Sequence, residues 1–239
     1  MMNDIRVIIT GGSSGLGECI VKELLEAEKF LINNIDINPS SLVKTHICDV
    51  RNVAGLKLFS EKIDSVDILI NNVGINCIGN FEDFDLWDWE SVLDINLKSI
   101  FSVSQIFFEK LKKSKGVVLN VVSNASRVPM TNSSAYNASK AGAEMLTRQM
   151  ARELTKRFGI TVFGINPNKL EGTEMSHYID SAVPDLRGWT PEQAKEYQLN
   201  SILTGEETKP EWIAEHVVWL LSEKHRHKYL SGCLLDLGA

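Results

Sequence analysis

The sequence predicts an α/β protein, a single doubly wound parallel sheet of about seven strands with helices on both faces, and three observations lead there. Apolar runs of strand length alternate with amphipathic runs of helix length from one end of the chain to the other. The first of these runs stops at a glycine-rich turn, Gly11-Gly12-Ser13-Ser14-Gly15-Leu16-Gly17, which opens directly into a helical pattern. A length of 239 residues, 44% hydrophobic and 23% charged, suits one large core. No linker, repeat or low-complexity tract divides it, so residues 1–239 are expected to form one domain.

Residues Ile5–Thr10 (I-R-V-I-I-T) form the first strand, and the helix after the turn, 18–29, carries an apolar stripe of Ile20, Val21, Leu24 and Leu25. Glycines let backbone N–H groups approach a pyrophosphate, and a helix N-terminus adds partial positive charge, so the G-x-x-x-G-x-G turn is a phosphate cradle. The second strand, 30–35, ends at Asp36, about 20 residues beyond the last glycine, where a dinucleotide fold places an acid on the adenosine ribose. That carboxylate would repel a 2′-phosphate, and residues 37–41 hold no lysine or arginine, so NAD (NADH) is expected rather than NADP. Further strands are expected at 45–49, 66–70, 117–122, 159–165 and 230–237. Helices are expected at 52–63, at 87–113 as one long, bent region containing Asn96, at Ser134–Phe158 and at 211–222. Segment 169–208 is long for a connection in a compact domain and leaves the carboxyl end of a strand. It is expected to be a mobile substrate lid, with a short helix at 191–199 begun by Thr190-Pro191, its apolar side towards the cleft.

The stretch 120–142 concentrates the chemistry. Ser123 should sit at the carboxyl end of its strand, where α/β sheets place ligands, facing Tyr136 across a loop. On a helix Tyr136 and Lys140 share one face, and an ammonium beside a phenol favours the phenolate, lowering its pKa from about 10. Such a phenol can exchange a proton with an alcohol or carbonyl. A Y-x-x-x-K pair alone is common on solvated helices, but of the four tyrosines only Tyr136 has a lysine at i+4. Two rival motifs overlap the glycine turn. Gly11 to Gly15 matches the G-x-S-x-G nucleophile elbow, but it follows the first strand, lacks an earlier strand-end loop for the second oxyanion N–H, and has no convincing acid and histidine downstream. Gly12 to Gly17 has the frame of a nucleoside-triphosphate loop, yet Glu18 occupies the lysine position.

A net charge of −6 without a basic block argues against nucleic acid as a partner. Met-Met-Asn-Asp precedes the first strand directly and no run approaches the roughly 20 apolar residues of a span, so neither export nor membrane insertion is suggested and the cytosol is expected. Cys19, Cys48, Cys77 and Cys233 are scattered, and His46, His177, His216, His225 and His227 join no cysteine cluster. They are expected to be core thiols and surface imidazoles, with no metal.

In this order, the glycine turn, Asp36, Asn72-Val73-Gly74, Asn96, Ser123, Tyr136 and Lys140 make the chain resemble a short-chain dehydrogenase/reductase from end to end. The resemblance implies an oxidoreductase acting on a CH–OH group. It assigns the cofactor to Gly11, Ser13, Ser14, Gly15, Leu16, Gly17, Asp36, Ile37, Asp49, Val50, Asn72, Val73, Gly74, Pro167, Leu170 and Thr173, together with Tyr136 and Lys140. It implies a catalytic tetrad in which Ser123 polarises the substrate oxygen and Tyr136 is the acid/base. Lys140 lowers the tyrosine pKa and holds the nicotinamide ribose, and Asn96 anchors a water relay. Val73, Pro167-Asn168, an extra Gly172 and the terminal Asp236-Leu237-Gly238-Ala239 depart from the family pattern. The short connection from Asp36 to Asp49 is similar to that of the cyclic-dihydrodiol dehydrogenases. The expected substrate is a small, polar, ring-containing secondary alcohol or its ketone, with Arg127 either meeting a substrate carboxylate or exposed to solvent. A homodimer or homotetramer through the helices of Ile100 and Met145 is implied, with Ala138, Ala141, Gly142 and Ala143 either allowing close helix approach or packing internally. The alternative is a relative that binds NAD and a partner without turnover.

Overall fold

A computed structural model describes residues 5–222 and 227–238; the Met-Met-Asn-Asp start, His225 and Ala239 lie outside the described residues. The elements follow as β1 (Ile5–Thr10), α1 (Gly15–Glu26), β2 (Phe30–Asp36), β3 (Thr45–Ile47), α2 (Val53–Ser60), β4 (Ile68–Asn71), α3 (Leu86–Leu93), α4 (Ser99–Ile106), α5 (Phe108–Ser114), β5 (Val117–Val121), α6 (Ser134–Phe158), β6 (Thr161–Pro167), α7 (Glu174–Arg187), α8 (Pro191–Asn200), α9 (Pro210–Leu221) and β7 (Leu234–Leu237). The seven strands pair in parallel in the order β3-β2-β1-β4-β5-β6-β7. This is the doubly wound sheet of a Rossmann fold.

Alternation along the strands divides the core in two. Val7 and Ile9 of β1, with Val117, Leu119 and Val121 of β5, pack against Ile20, Val21 and Leu24 of α1 and Ile213 and Val217 of α9. Ile8, Leu69, Val118 and Val162 face the other way, onto Ile100 and Val103 of α4, Phe107, and Ala143 and Met150 of α6. A buried polar chain fixes that second layer to the sheet. Asn71 Nδ2 donates to Asn120 Oδ1 (2.8 Å) and Ser104 Oγ (3.1 Å), and Asn120 Nδ2 donates to Thr147 Oγ1 (2.9 Å). Between β1 and β4 the winding reverses, and that switch point is stitched shut: Asn72 Nδ2 donates to the carbonyls of Thr10 (3.1 Å) and Gly11 (2.8 Å).

Several expectations need correction. Helix α1 starts inside the glycine turn at Gly15, not after it. Region 87–113 is the long helical region expected, but segmented: a wide π turn, Asp94–Lys98, joins α3 to α4, and the helix breaks at Phe107. Segment 169–208 carries two helices, α7 as well as the expected α8. His46 is half-buried and stacked on Phe59, with ring centroids 4.2 Å apart, and His227 is buried, so neither is a surface imidazole. Cys233, expected in the core, is exposed. A Cβ on Gly142 would come within 2.7 Å of Leu97, so of the two uses open to it Gly142 takes internal packing, while Phe101 and Met145 are large apolar residues exposed on the helices of Ile100 and Met145. Among the described residues no helix is long and apolar enough to cross a membrane, and no cluster of His, Cys, Asp or Glu could hold a metal.

Candidate active site

The carboxyl ends of β1, β2, β4, β5 and β6 border one cleft of about 660 Å³, closed on a further side by α7 and α8. That is a size typical of ligand sites. At its floor, Asn34 shapes the glycine turn: its Oδ1 accepts from Gly12 N (2.9 Å) and its Nδ2 donates to Ser13 Oγ (2.9 Å) and Thr45 Oγ1 (3.0 Å). Gly11 and Gly15 hold φ of +72° and +53°, conformations that side chains resist. Ser14 precedes α1 without a side-chain cap, so the first-turn N–H groups of Gly15, Leu16 and Gly17 are left to the cleft that this turn lines. At the end of β2 both Asp36 oxygens are fixed, Oδ2 by Ser13 N and Oδ1 by Asn38 N, each at 3.0 Å. A bare backbone cradle with an uncapped helix start, followed by an oriented acid at the neighbouring strand end, fits a dinucleotide.

The cleft gathers Gly11, Ser14, Gly15, Leu16, Gly17, Asp36, Ile37, Asp49, Val50, Asn72, Val73, Gly74, Ser123, Tyr136, Lys140, Pro167, Leu170 and Thr173. Two predicted residues stand outside its lining. Ser13 turns away, its Oγ donating to the Asn38 carbonyl (2.8 Å). Asn96 is buried behind the wall at the π turn: its Oδ1 accepts from Ile75 N (2.8 Å), and its Nδ2 donates to Ile75 O (2.8 Å) and Ser139 Oγ (3.0 Å). Its side chain is thus committed to positioning residue 75 against α6. A π turn inside a helix has no sequence signature, though such turns recur at functional sites.

Ser123, Tyr136 and Lys140 come together at the end of β5. Ser123 Oγ donates to Asn124 Oδ1 (3.3 Å) and accepts from Ala125 N (3.2 Å) beside the Tyr136 phenol, and Lys140 Nζ donates to the Val121 carbonyl (3.1 Å) while lying 5.6 Å from the tyrosine ring centroid. Gly74 sits under the ammonium, and a Cβ there would stand 3.4 Å from Nζ. Electrostatics here correct the sequence expectation. Burial pushes the Tyr136 phenol up, with the Ser123 bond pulling down only in part, so the phenol pKa is raised and not lowered. Burial also brings Lys140 down to about 8. Desolvation outweighs the attraction between the two groups when both lie inside protein.

A lysine depressed from 10.5 to about 8 makes stability depend on pH. Burying the ammonium costs the folded state at pH below 8, and the cost fades as pH rises towards 10.5, because the unfolded chain binds more protons across that window. Tyr136 acts oppositely above its ordinary value of 10, and Cys19, Cys48 and Cys77, whose thiols burial raises from 9.0, do so above 9. Without nucleotide, the denaturation midpoint should therefore rise from pH 8 to 9, and Lys140→Met should flatten the rise; identical slopes in the two proteins would show that the ammonium is solvated.

Arg127 is exposed, the second of the two expectations, and stands outside the cleft lining: its Nε donates to Glu144 (2.9 Å) and its Nη1 to Asp236 (3.0 Å), tying the loop after β5 to α6 and β7. Arg51, absent from the sequence expectations, lines the cleft but is paired with Asp49 at 2.7 Å. Lys169 ties segment 169–208 together through Asp180 of α7, Gln198 of α8 and Glu207.

The family model for short chain dehydrogenases matches residues 6–184, three quarters of the chain and every strand end described above up to β6. The chain belongs to the short-chain dehydrogenase family. Membership carries NAD(P)(H)-dependent oxidoreductase chemistry on a small molecule. It is 30% identical over 259 residues to sorbitol-6-phosphate 2-dehydrogenase of Klebsiella pneumoniae, covering 99% of this chain and 95% of the relative. It is 31% identical over 229 residues to acetoacetyl-CoA reductase of Paracoccus denitrificans, covering 90% of each. A crystal structure of a short chain dehydrogenase family protein from Francisella tularensis superposes with a TM-score of 0.85 at 25% identity, covering 98% of this chain and 97% of that one. Relatives named for a phosphorylated polyol and an acyl thioester leave neither the dinucleotide nor a kinship with dihydrodiol enzymes singled out within this short-chain dehydrogenase.

Proposed function

We propose that this short-chain dehydrogenase is an NAD(H)-dependent enzyme that interconverts a small, polar secondary alcohol and its ketone. The convergence of buried Ser123, Tyr136 and Lys140 on one cleft wall, with the lysine on the same face of α6 as the tyrosine, carries the proposal. Bound in the cleft, the nicotinamide supplies or accepts the hydride. Tyr136 Oη gives the proton to, or takes it from, the substrate oxygen, and Ser123 Oγ holds that oxygen at the tyrosine. Lys140 keeps a positive charge beside the phenol, favouring its ionised form at the moment of transfer. Asn96 acts one layer back, as a positioning residue for the wall at Ile75. The α7–α8 segment is the substrate-facing side. Polar recognition there is supported by Asn76 Oδ1 and Gln198 Nε2, buried atoms on the cleft wall without hydrogen-bond partners.

The choice of NAD rests on the pinned carboxylate of Asp36, which can accept from two ribose hydroxyls and repels a 2′-phosphate, while Arg51 is already neutralised. Asp36→Ala should narrow the NAD:NADP ratio of kcat/KM by about tenfold, mainly by weakening NAD. Equal kcat/KM for both cofactors in the unmodified protein would refute the preference. A second substrate class is favoured by the apolar wall of Val128, Met130, Ile179 and Val183, which would also accept a short acyl chain. Turnover of NADH and NADPH across alcohols, ketones and acyl thioesters, with thermal shift alongside to detect binding without chemistry, decides between them. No turnover with any alcohol or ketone would end the proposal.

A further inference from the structure

We infer that Arg187 anchors an oxyanion in the substrate part of the cleft, so that the substrate carries a carboxylate or phosphate in addition to its reacting hydroxyl. This rests on the oxidoreductase proposed above and adds the class of molecule it acts on. Arg187 ends α7, lines the cleft, and reaches the Thr131 carbonyl at 3.4 Å, in the loop that joins Ser123 to Tyr136. It is therefore on the β5–β6 side of the sheet, whereas Asp36 and Asp49 lie at the ends of β2 and β3, and Glu174, the other acid on the cleft, stands at the opposite end of α7.

Its surroundings hold the guanidinium and leave its charge unmet. The central carbon lies 4.8 Å from the Trp189 ring centroid and 5.0 Å from that of Tyr197, and the two rings are 5.0 Å apart. These three distances make a nearly equilateral triangle, so the rings support the guanidinium from adjoining sides instead of enclosing it between them. The Nε–H is buried and has no hydrogen-bond partner. No ion pair among the described residues includes Arg187. Two other cations on the cleft are paired with acids, Arg51 with Asp49 and Lys169 with Asp180 and Glu207, and Lys140 lies at the tyrosine. A buried, unpaired N–H on a fork-shaped cation matches the two-point geometry of a carboxylate or phosphate. Gln198 Nε2 offers a second unpaired donor on the same wall, and Asn76 Oδ1 an acceptor for a neighbouring hydroxyl.

A purely structural arginine would close the α7–α8 turn by resting on Trp189 and Tyr197, and its loss would impair all substrates alike. The test is therefore a ratio. NAD-linked kcat/KM is measured for the full chain on neutral polyols, on their phosphate monoesters and on hydroxy acids of similar size, with malonate and inorganic phosphate as competing probes. The unmodified protein should prefer an anionic set, and whichever probe competes identifies carboxylate or phosphate as the recognised group. Arg187→Met should lower the anionic-to-neutral ratio on the order of 30-fold, mostly through KM, and weaken the competing probe equally; Arg187→Lys should fall between. Equal use of neutral and anionic sets, or an unchanged ratio in Arg187→Met, overturns the assignment. If nothing is turned over, the oxidoreductase proposal fails by itself. The anchor is then judged by thermal shift of the NADH-loaded protein with malonate and phosphate: a shift lost in Arg187→Met supports it, and no shift in the unmodified protein overturns it.

Discussion

Replacing Tyr136 by phenylalanine is expected to lower kcat by about 10²- to 10⁴-fold, the range that a positioned acid/base contributes, while NADH still binds. The ring is almost wholly buried, and phenylalanine fills the same volume in the same rotamer, so no cavity forms. What disappears is one hydroxyl and its polar interaction with the neighbouring Ser123. Stability should therefore drop by only about 1 kcal/mol, the typical net worth of one hydrogen bond. Fluorescence titration with NADH and single-turnover oxidation separate the two effects. A kcat near that of the parent would remove Tyr136 from the chemistry, and a large loss of NADH affinity would make it a binding residue instead.

The parts of this site that were legible in the sequence are those set by local geometry. A glycine turn between an apolar strand and a helix, an acid at the next strand end, and a tyrosine and lysine one helical turn apart each follow from spacing alone, and the sheet brings them to one cleft. What escaped depends on tertiary surroundings. The direction of the Tyr136 shift is set by desolvation, which spacing does not reveal. Arg127 finds Asp236, 109 residues away, and so is lost to any substrate. Helix α7 was hidden by Pro184, which breaks a helical pattern on paper; here it lies in the last turn, where few later residues depend on it. The unpaired atoms of Asn76, Arg187 and Gln198 are visible only once the wall that buries them is built.

Gly17→Ala should cost about 1–3 kcal/mol of stability, as overpacking does, and weaken NADH binding by about tenfold or more. Intrinsic preference points the other way, since Gly17 lies in the first turn of α1 and alanine is favoured over glycine in helices by about 1 kcal/mol. Contact decides. An added Cβ would stand 1.9 Å from the Gly11 carbonyl oxygen and 2.5 Å from Asn72 Nδ2, the very atoms whose 2.8 Å hydrogen bond closes the switch point. One of those contacts is backbone, so a side-chain rotation cannot relieve the clash; either α1 lifts from the sheet or the Gly11 peptide turns, and each moves the phosphate cradle. Gly15→Ala is the contrasting variant, because its Cβ would meet only Thr173 at 3.8 Å and its cost comes from φ of +53°. Left-handed backbone costs a residue with a side chain roughly 1–2 kcal/mol. Denaturant unfolding and NADH titration of both variants test the packing. If Gly17→Ala proved as stable as the parent, helix propensity would have outweighed the clash, and the close approach of α1 to the end of β1 would not be what shapes the cradle.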